Sequence, residues 1–422
     1  MLHYFGATQG RLALIAAGLG VTLTIGAGAY VRAQQGSPQA AQTKTFSVTL
    51  AGQSMIRSDF RVHAPDELAK VAPLLKGDVV FTNFESTVIE PDQSVRDGRF
   101  LTPPAALDAL QALGFNLVAL ADNHAYDLKV SGIQNTLREV KSRNLAHAGI
   151  GNTLDEAAAP GYLQTANGTV ALVAMASGLI DEGGHALADH PGVNELRIEA
   201  GGKPNESTTE MPTGSQNEPN AEDKQRILQS IREARQHADL VVVYEHNHVF
   251  LNRPFAAILN EELPERLQPA DWLRKWTHEE IDAGADIVVM HGVPLVHGVE
   301  IYRGRPIFFD LGNFIFNAPP SDIQLDEPIN WESVVAHVEF RGKNLESITF
   351  QPIVMNKVGQ GQPDMVDEHD NNLFMDTRGL PTPATGDRAR YILRRLADSS
   401  RSFGTEVDLT GDSAEIKLKR TN

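Results

Sequence analysis

The chain contains no cysteine. That excludes a disulfide framework and any thiolate metal site, so a bound metal would have to rest on His, Asp, Glu or Asn. It also excludes a lipidated cysteine behind the apolar stretch near the start. Excess positive charge is missing as well: the formal net charge is −17 over 422 residues. A body that acidic repels polyanions, so nucleic acid is not an expected partner. An anionic substrate would need a local cation, either Arg or a metal. No long-period repeat runs through the chain.

What is present has an ordinary globular composition, 41% hydrophobic and 22% charged. The length suits one large domain or two ordinary ones. Residues 12–31, "LALIAAGLGVTLTIGAGAYV", are uncharged and apolar, with Arg11 before them and "VRAQQ" after. They read as a signal peptide with cleavage after Ala33, the alternative being an uncleaved anchor of about bilayer length. Either way the rest is expected to be exported, to the periplasm or cell envelope. Removing 1–33, whose only charged side chains are Arg11 and Arg32, takes the charge from −17 to −19. Residues 34–44 read as a linker.

From Thr45 to about 355, apolar runs alternate with helical patterns. Strands are expected in "FSVTLAGQ", "DVVFTN", "NLVAL", "DLVVVYE" and "DIVVM". Helices are expected over 66–75, 104–113, 224–237 and 271–283, the last with Asp271 as N-cap and Gly284 at its end. Continuous apolar strands between helices predict a parallel sheet covered on both faces. "GVEIYRGRPIFFDLGNFIF" instead predicts a strand–turn–strand around Arg303-Gly304. Residues 181–222, rich in Pro, Gly, Asn, Ser and Glu, read as a long exposed, mobile insertion. Residues 356–422 read as a C-terminal extension, with a helix over 387–399, packing on the domain.

Four strands end alike. Asn83 and Glu85 follow "DVVFT"; Asp122, Asn123, His124 and Asp127 follow "NLVALA"; Glu245, His246 and His248 end "DLVVVYEHNH"; His291 ends "DIVVMHG". One such loop is decoration. Four loops delivering these groups to the shared carboxyl edge of a sheet predict a ligand site. Imidazoles, carboxylates and amides hold a divalent ion without thiolates, and such an ion polarises a phosphoryl or carbonyl oxygen. Carboxylate pairs such as Glu85 and Asp122 are crowded by histidines, which disfavours a two-carboxylate glycosidase.

On these motifs the sequence resembles the CapA-type capsule-synthesis proteins, a branch of the calcineurin-like metallophosphoesterases. The matching residues are Gly52-Gln53, Asn83-Phe84-Glu85, Asp122-Asn123-His124 with Asp127, His246, His291 and Leu311-Gly312-Asn313-Phe314. The resemblance implies an α/β fold, a four-layer α/β/β/α sandwich, and a role in capsule or poly-γ-glutamate biosynthesis. It implies Glu85 as a bridging carboxylate, Asn123, His246, His291 and His297 as further metal ligands, and His124 as general acid. Asp127 would orient His124, or else cap a helix. Arg57 and His248 are candidate substrate contacts. Two departures weaken one metal position: Gln53 stands where the family has Asp, and Pro294 where it has a second His; either His248 and His297 substitute there, or that metal is absent. The expected cofactor is a divalent ion (Mn, Zn or Fe), with one tight site and at most one weak one. The expected substrate is an anionic small molecule or polymer, a phosphoester or a γ-glutamyl-type amide, with membrane components of capsule synthesis as further partners. The alternative is a non-catalytic envelope assembly protein that binds an anionic polymer.

Overall fold

The computed structural model describes residues 44–90, 99–200, 217–249, 268–318, 325–361 and 373–418. The expected signal peptide or anchor and residues 34–43 of the linker lie outside them. Among the described residues no helix is long and apolar enough to cross a membrane.

The fold is mixed α/β, built on two large sheets. In the first, β1 (Thr45–Leu50), β2 (Val79–Asn83), β3 (Leu117–Ala119) and β4 (Ala146–Ala148) run parallel in that order. In the second, β5 (Gly161–Thr165) pairs antiparallel with β6 (Gly168–Ser177). There β6, β7 (Leu240–Asn247) and β8 (Ile287–His291) run parallel. A hairpin of β9 (Val299–Tyr302) and β10 (Arg305–Phe308) completes that sheet, with β10 parallel to β8. The chain then returns to the first sheet. β11 (Glu332–Arg341) lies antiparallel to β1, and β12 (Asn344–Met355) antiparallel to β11. Three short strands, β13 (Pro381–Pro383), β14 (Val407–Thr410) and β15 (Ser413–Ile416), extend that side. The sheets are therefore mixed, and the expected all-parallel arrangement holds only for β1–β4 and for β6, β7, β8 and β10.

The helices follow from caps and apolar spacing. α1 (Ala105–Ala112) ends before Gly114, whose φ of 102° suits a residue without Cβ. α2 (Lys129–Ser142) turns Ile133, Leu137 and Val140 inward. α3 (Ala221–His237) starts at Asn220, whose side chain accepts from the backbone N–H groups of Glu222 and Asp223. α4 (Asp271–Ala283) has the expected bounds, but its N-cap is Ala270. Asp271 instead sits in the first turn, where a carboxylate favours the helix dipole. α5 (Gly386–Arg401) places Ile392, Leu393 and Leu396 in the core.

Alternation along the second sheet divides the core. Leu172, Ala174, Val242, Tyr244 and Val289 pack in one cluster with Leu50, Phe81 and Val118 of the first sheet. Their neighbours Val173, Met175, Val243, Val288 and Met290 pack against Ile227 and Ile231 of α3 and Trp272 and Trp276 of α4. The sheets thus share one apolar interface, and two helices cover the outer face of the second. Each fully buried side chain of this kind contributes on the order of 2 kcal/mol.

Two expectations change. Within 181–222, Gly192–Val193 pairs with Ile150–Gly151, Ile198–Ala200 pairs with Asn217–Pro219, and Val193, Leu196 and Ile198 are buried. The polar composition hid these alternating apolar anchors, and the exposed insertion expected there does not hold for them; residues 201–216 lie outside the described residues. The C-terminal segment does more than lean on the domain, since β13–β15 join the first sheet.

Candidate metal centre

Parallel order brings the carboxyl ends of both sheets to one edge. Asn83 ends β2, Asp122 follows β3 closely, and His246 and His291 are register partners on β7 and β8. Close backbone approach tightens the edge. A Cβ on Gly52 would fall 2.1 Å from the Gly312 carbonyl oxygen, and one on Gly292 2.1 Å from that of Asn247. Only glycine fits at either place.

Four side chains converge there. His246 Nε2 lies 2.9 Å from His248 Nε2 and 2.8 Å from Asn123 Oδ1, and His248 Nε2 lies 3.1 Å from the same oxygen. Glu85 Oε1 is 3.7 Å from His246 Nε2. Glu85, His246 and His248 can each offer one ligand atom with all three within 4.8 Å of one another, and all are buried. The first sheet supplies Glu85 and Asn123; the second supplies both histidines.

The electrostatics suit a cation. Burial, reinforced by His248, His291 and His124, holds the His246 imidazole well below its usual pKa, so it is neutral. Burial, with the His124 charge, lowers His248 to about 3, and burial alone lowers His291 to about 3. Tyr244 Oη lies 3.1 Å from His246 Nδ1. A proton on Nδ1 directed to that oxygen leaves the Nε2 lone pair facing the cluster, as an orienting partner does for a ligating histidine. Two nitrogen lone pairs and an amide oxygen then point at one another. Glu85 Oε2 is buried without a hydrogen-bond partner among the described residues. Burial raises the Glu85 carboxyl to about 7, with His124 lowering it and Asp127 adding to the rise. These acceptors lack a shared positive charge, and a divalent ion fits the donor set.

His124 faces the cluster from the β3 loop. Its backbone N–H donates to Asp122 Oδ1 at 2.9 Å, and its Nδ1 is 3.1 Å from Asp127 Oδ2. Burial alone would lower its pKa, but the hydrogen bond and charge of Asp127, with Glu85 and Asp122, outweigh burial and raise it to about 9. Asp127 does not cap a helix: the N-cap of α2 is Leu128, and Asp127 Oδ2 also accepts from the Phe100 N–H at 2.9 Å. The Phe100 ring lies 4.8 Å from the His124 ring, tilted 53° to it, and 5.2 Å beneath the Arg57 guanidinium. Arg57, 4% exposed, donates to the Arg99 carbonyl at 2.6 Å. It is thus one aromatic ring away from His124.

The remaining expected residues spread around this group. His291 is buried with neither ring nitrogen hydrogen-bonded among the described residues, and its ring is 5.5 Å from that of Tyr244. His297 lines a small pocket with His291 and Asp310. Gln53 is buried in register with Asn313, its Nε2 3.8 Å from Met55 Sδ. His248, expected as a substrate contact or a substitute ligand, stands in the group that could hold a metal ion. Two residues escaped the sequence reading. Tyr244 looks like another apolar residue of its strand. Asp310 ends "RPIFFD" just as the other site residues end their strands, and that signal could have found it. Its carboxyl accepts from Gly312 N–H at 2.7 Å, and burial pushes it well above the carboxylate range.

Residues 33–318 match the family described as bacterial capsule synthesis protein PGA_cap. The chain belongs to that family. The uncharacterised protein y4sH of Sinorhizobium fredii is 27% identical over 456 aligned positions, covering 88% of this chain and 93% of its own. The PGA biosynthesis protein CapA of Bacillus subtilis is 28% identical over 251 positions, covering 58% of this chain and 56% of its own. The chain thus matches about half the length of that relative. A hypothetical protein from Thermus thermophilus aligns at 12% identity and a TM-score of 0.40, covering 72% of this chain and 98% of its own.

Proposed function

We propose that this PGA_cap-family chain is an exported, metal-dependent hydrolase of capsule biosynthesis, with the metallophosphoesterase type of four-layer α/β/β/α sandwich. Its substrate is an anionic phosphoester or γ-glutamyl-type amide of the envelope, presented with membrane components of capsule synthesis. The observation that carries the reading is the convergence of His246, His248, Asn123 and Glu85 from two sheets onto one buried point.

Glu85, Asn123, His246 and His248 would hold the divalent ion, with His291 beside them. Such an ion supplies Lewis-acid polarisation of the scissile group and a water of lowered pKa. The protein's own residues do the rest. His124, kept protonated by Asp127, donates its Nε2 proton to the leaving oxygen or nitrogen. Phe100 fixes the plane of that imidazole. The Arg57 guanidinium, held over Phe100, adds positive charge one ring away from that imidazole.

Gln53 favours the second reading, a non-catalytic binder of an anionic polymer. A neutral amide holds a dication less well than the family's Asp. Metal analysis of the purified protein, paired with turnover of a small chromogenic phosphodiester, separates the two. Bound metal with turnover supports the hydrolase; bound metal with no turnover on phosphodiesters or γ-glutamyl amides supports the binder. Amino-terminal sequencing of the mature protein from its producing cells tests export, with Gln34 expected as the first residue.

A further inference from the structure

We propose that a second anion-binding site lies on the opposite edge of the molecule from the metal centre, and that it holds a carboxylate-bearing polymer chain. A pocket of about 910 Å³ opens there, a size that suits a flexible ligand segment. Strand direction fixes its place. β10 runs parallel to β8, so Arg305 at its start is on the amino edge, while Asp310 just past its end is beside His291. The β11–β12 turn is on that same amino edge, because Arg341 pairs with Thr45 at the start of β1.

Four cations line the pocket, Arg303, Arg305, Lys343 and Lys417, with Glu406 as the one lining carboxylate and Asp282, Asp286 and Asp408 paired to three of the cations from outside the lining. In a chain of net charge −17 this is an unusual concentration. Net negative charge disfavours a polyanion on most of such a chain, and here Lys343 and the two exposed, weakly paired cations Arg303 and Lys417 are open to an incoming carboxylate. The cations are held differently. Arg303 is at the tip of the β9–β10 turn, with φ of 50° followed by 75° at Gly304, the left-handed pair of a tight hairpin. Arg305 is fixed: it donates to the Lys343 carbonyl, sits 3.2 Å from Asp286 and lies over the Phe340 ring. Lys343 is exposed and has no ion pair among the described residues. Arg303 pairs with Asp282 at 2.7 Å and Lys417 with Asp408 at 2.6 Å, but these cations are 66% and 60% exposed. Exposed pairs of this kind are worth about 0–1 kcal/mol, so an incoming carboxylate can share or replace the aspartate.

The wall between the cations selects the ligand. Ile301, Leu345 and Phe403 are apolar. A chain whose carboxylates are spaced by methylenes sets its charges on the cations and its spacers on this wall. A polyphosphate would set charge against it. The choice of poly-γ-glutamate as probe rests on the capsule reading above; the preference for spaced carboxylates does not.

The test uses the full chain and a fluorescent γ-linked oligoglutamate of about ten residues, with binding followed by anisotropy at low and physiological salt. The double variant Lys343→Glu/Lys417→Glu should lose about tenfold or more in affinity and show a flatter salt dependence. Its melting temperature and its turnover of a small phosphodiester should not change. Absence of binding to the unaltered chain, equal affinity of the double variant, or tighter binding of a polyphosphate of matched charge would each overturn the proposal. If turnover is absent while polymer binding is lost on charge reversal, the pocket stands and the hydrolase reading falls.

Discussion

His246 Nε2 stands 2.9 Å from His248 Nε2, and both face the Asn123 amide oxygen. Two neutral imidazoles persist in that arrangement when a proton or a cation lies between their lone pairs. On sequence grounds His248 is a substrate contact or a substitute ligand and His291 a ligand; the geometry groups His248 with Glu85 and His246 as side chains that could hold a metal ion. His248→Ala is therefore expected to behave as His246→Ala does. Each should reduce the metal retained through dialysis from about one equivalent to near zero, as loss of a direct ligand does. Full metal content in His248→Ala, with only a raised KM, would return that residue to the substrate.

Gln53 bears on whether the proposed centre holds one ion or two. It is 3% exposed, its Oε1 has no hydrogen-bond partner, and the neighbouring Ser54 carbonyl accepts from Glu85 N–H. Two dications about 3.5–4 Å apart need anions around them, and the amide supplies none. Gln53→Asp should lower the melting temperature of the metal-free protein, because it adds a buried charge, and raise it in excess Mn²⁺ or Zn²⁺. Metal content should rise from about one equivalent toward two. Two equivalents in the unaltered protein, indifferent to this change, would mean that Asp310 or His297 completes a second position.

The strand ends announced the site because chemistry-bearing residues interrupt apolar runs at Asn83, Asp122, His246 and His291. Parallel pairing then had to bring them to one edge. Spacing alone could not show which histidine faces which. His246 and His248 are two apart on one chain segment, and their convergence on Asn123 depends on how two sheets pack. The same limit hid Tyr244, whose hydroxyl matters only because it reaches His246 Nδ1. Elements with weak contrast were also missed. α2, "KVSGIQNTLREVKS", buries Gly132, Asn135 and Thr136 beside its apolar residues, so its inward face carries little hydrophobic signal.

His124 is the proposed proton donor, and a donor's value depends on the leaving group. His124→Ala should lower kcat by about 10²–10⁴ with a poor leaving group such as an alkoxide, and far less with p-nitrophenolate, which departs without a proton. Asp127→Asn, which keeps the hydrogen bond to Phe100 N–H but removes the charge beside His124, should fall between. Steady-state kinetics across leaving groups of different basicity measures this. An equal loss for every leaving group in His124→Ala would assign the residue to substrate binding.

Acid stability should depend on Asp223, which is outside the group of proposed metal ligands. Its fully buried carboxylate joins α3 to the segment before it. It accepts from Arg197 Nε at 2.7 Å and Nη2 at 2.9 Å, from the Arg197 backbone N–H at 3.0 Å, and from Arg226 Nη1 at 2.6 Å. Burial alone would raise its pKa. The Arg197 hydrogen bonds and the Arg226 charge outweigh burial and hold it below the usual value of 3.8. A carboxyl whose folded pKa lies below its unfolded pKa binds fewer protons when folded. Its stabilisation is therefore complete above about pH 5 and is lost as pH falls through about 3.8 toward the lower folded value. Asp223→Asn removes that contribution at every pH. The variant should lose about 1–3 kcal/mol near neutrality, since two arginines lose their carboxylate while keeping partial access to solvent. At about pH 3 the gap to the unaltered protein should narrow, because there the wild-type carboxyl is itself taking up its proton. Urea unfolding at neutral pH and in acid measures both gaps. A gap that stays constant or widens toward acid would mean that the arginines, rather than the aspartate charge, set the stability of this junction.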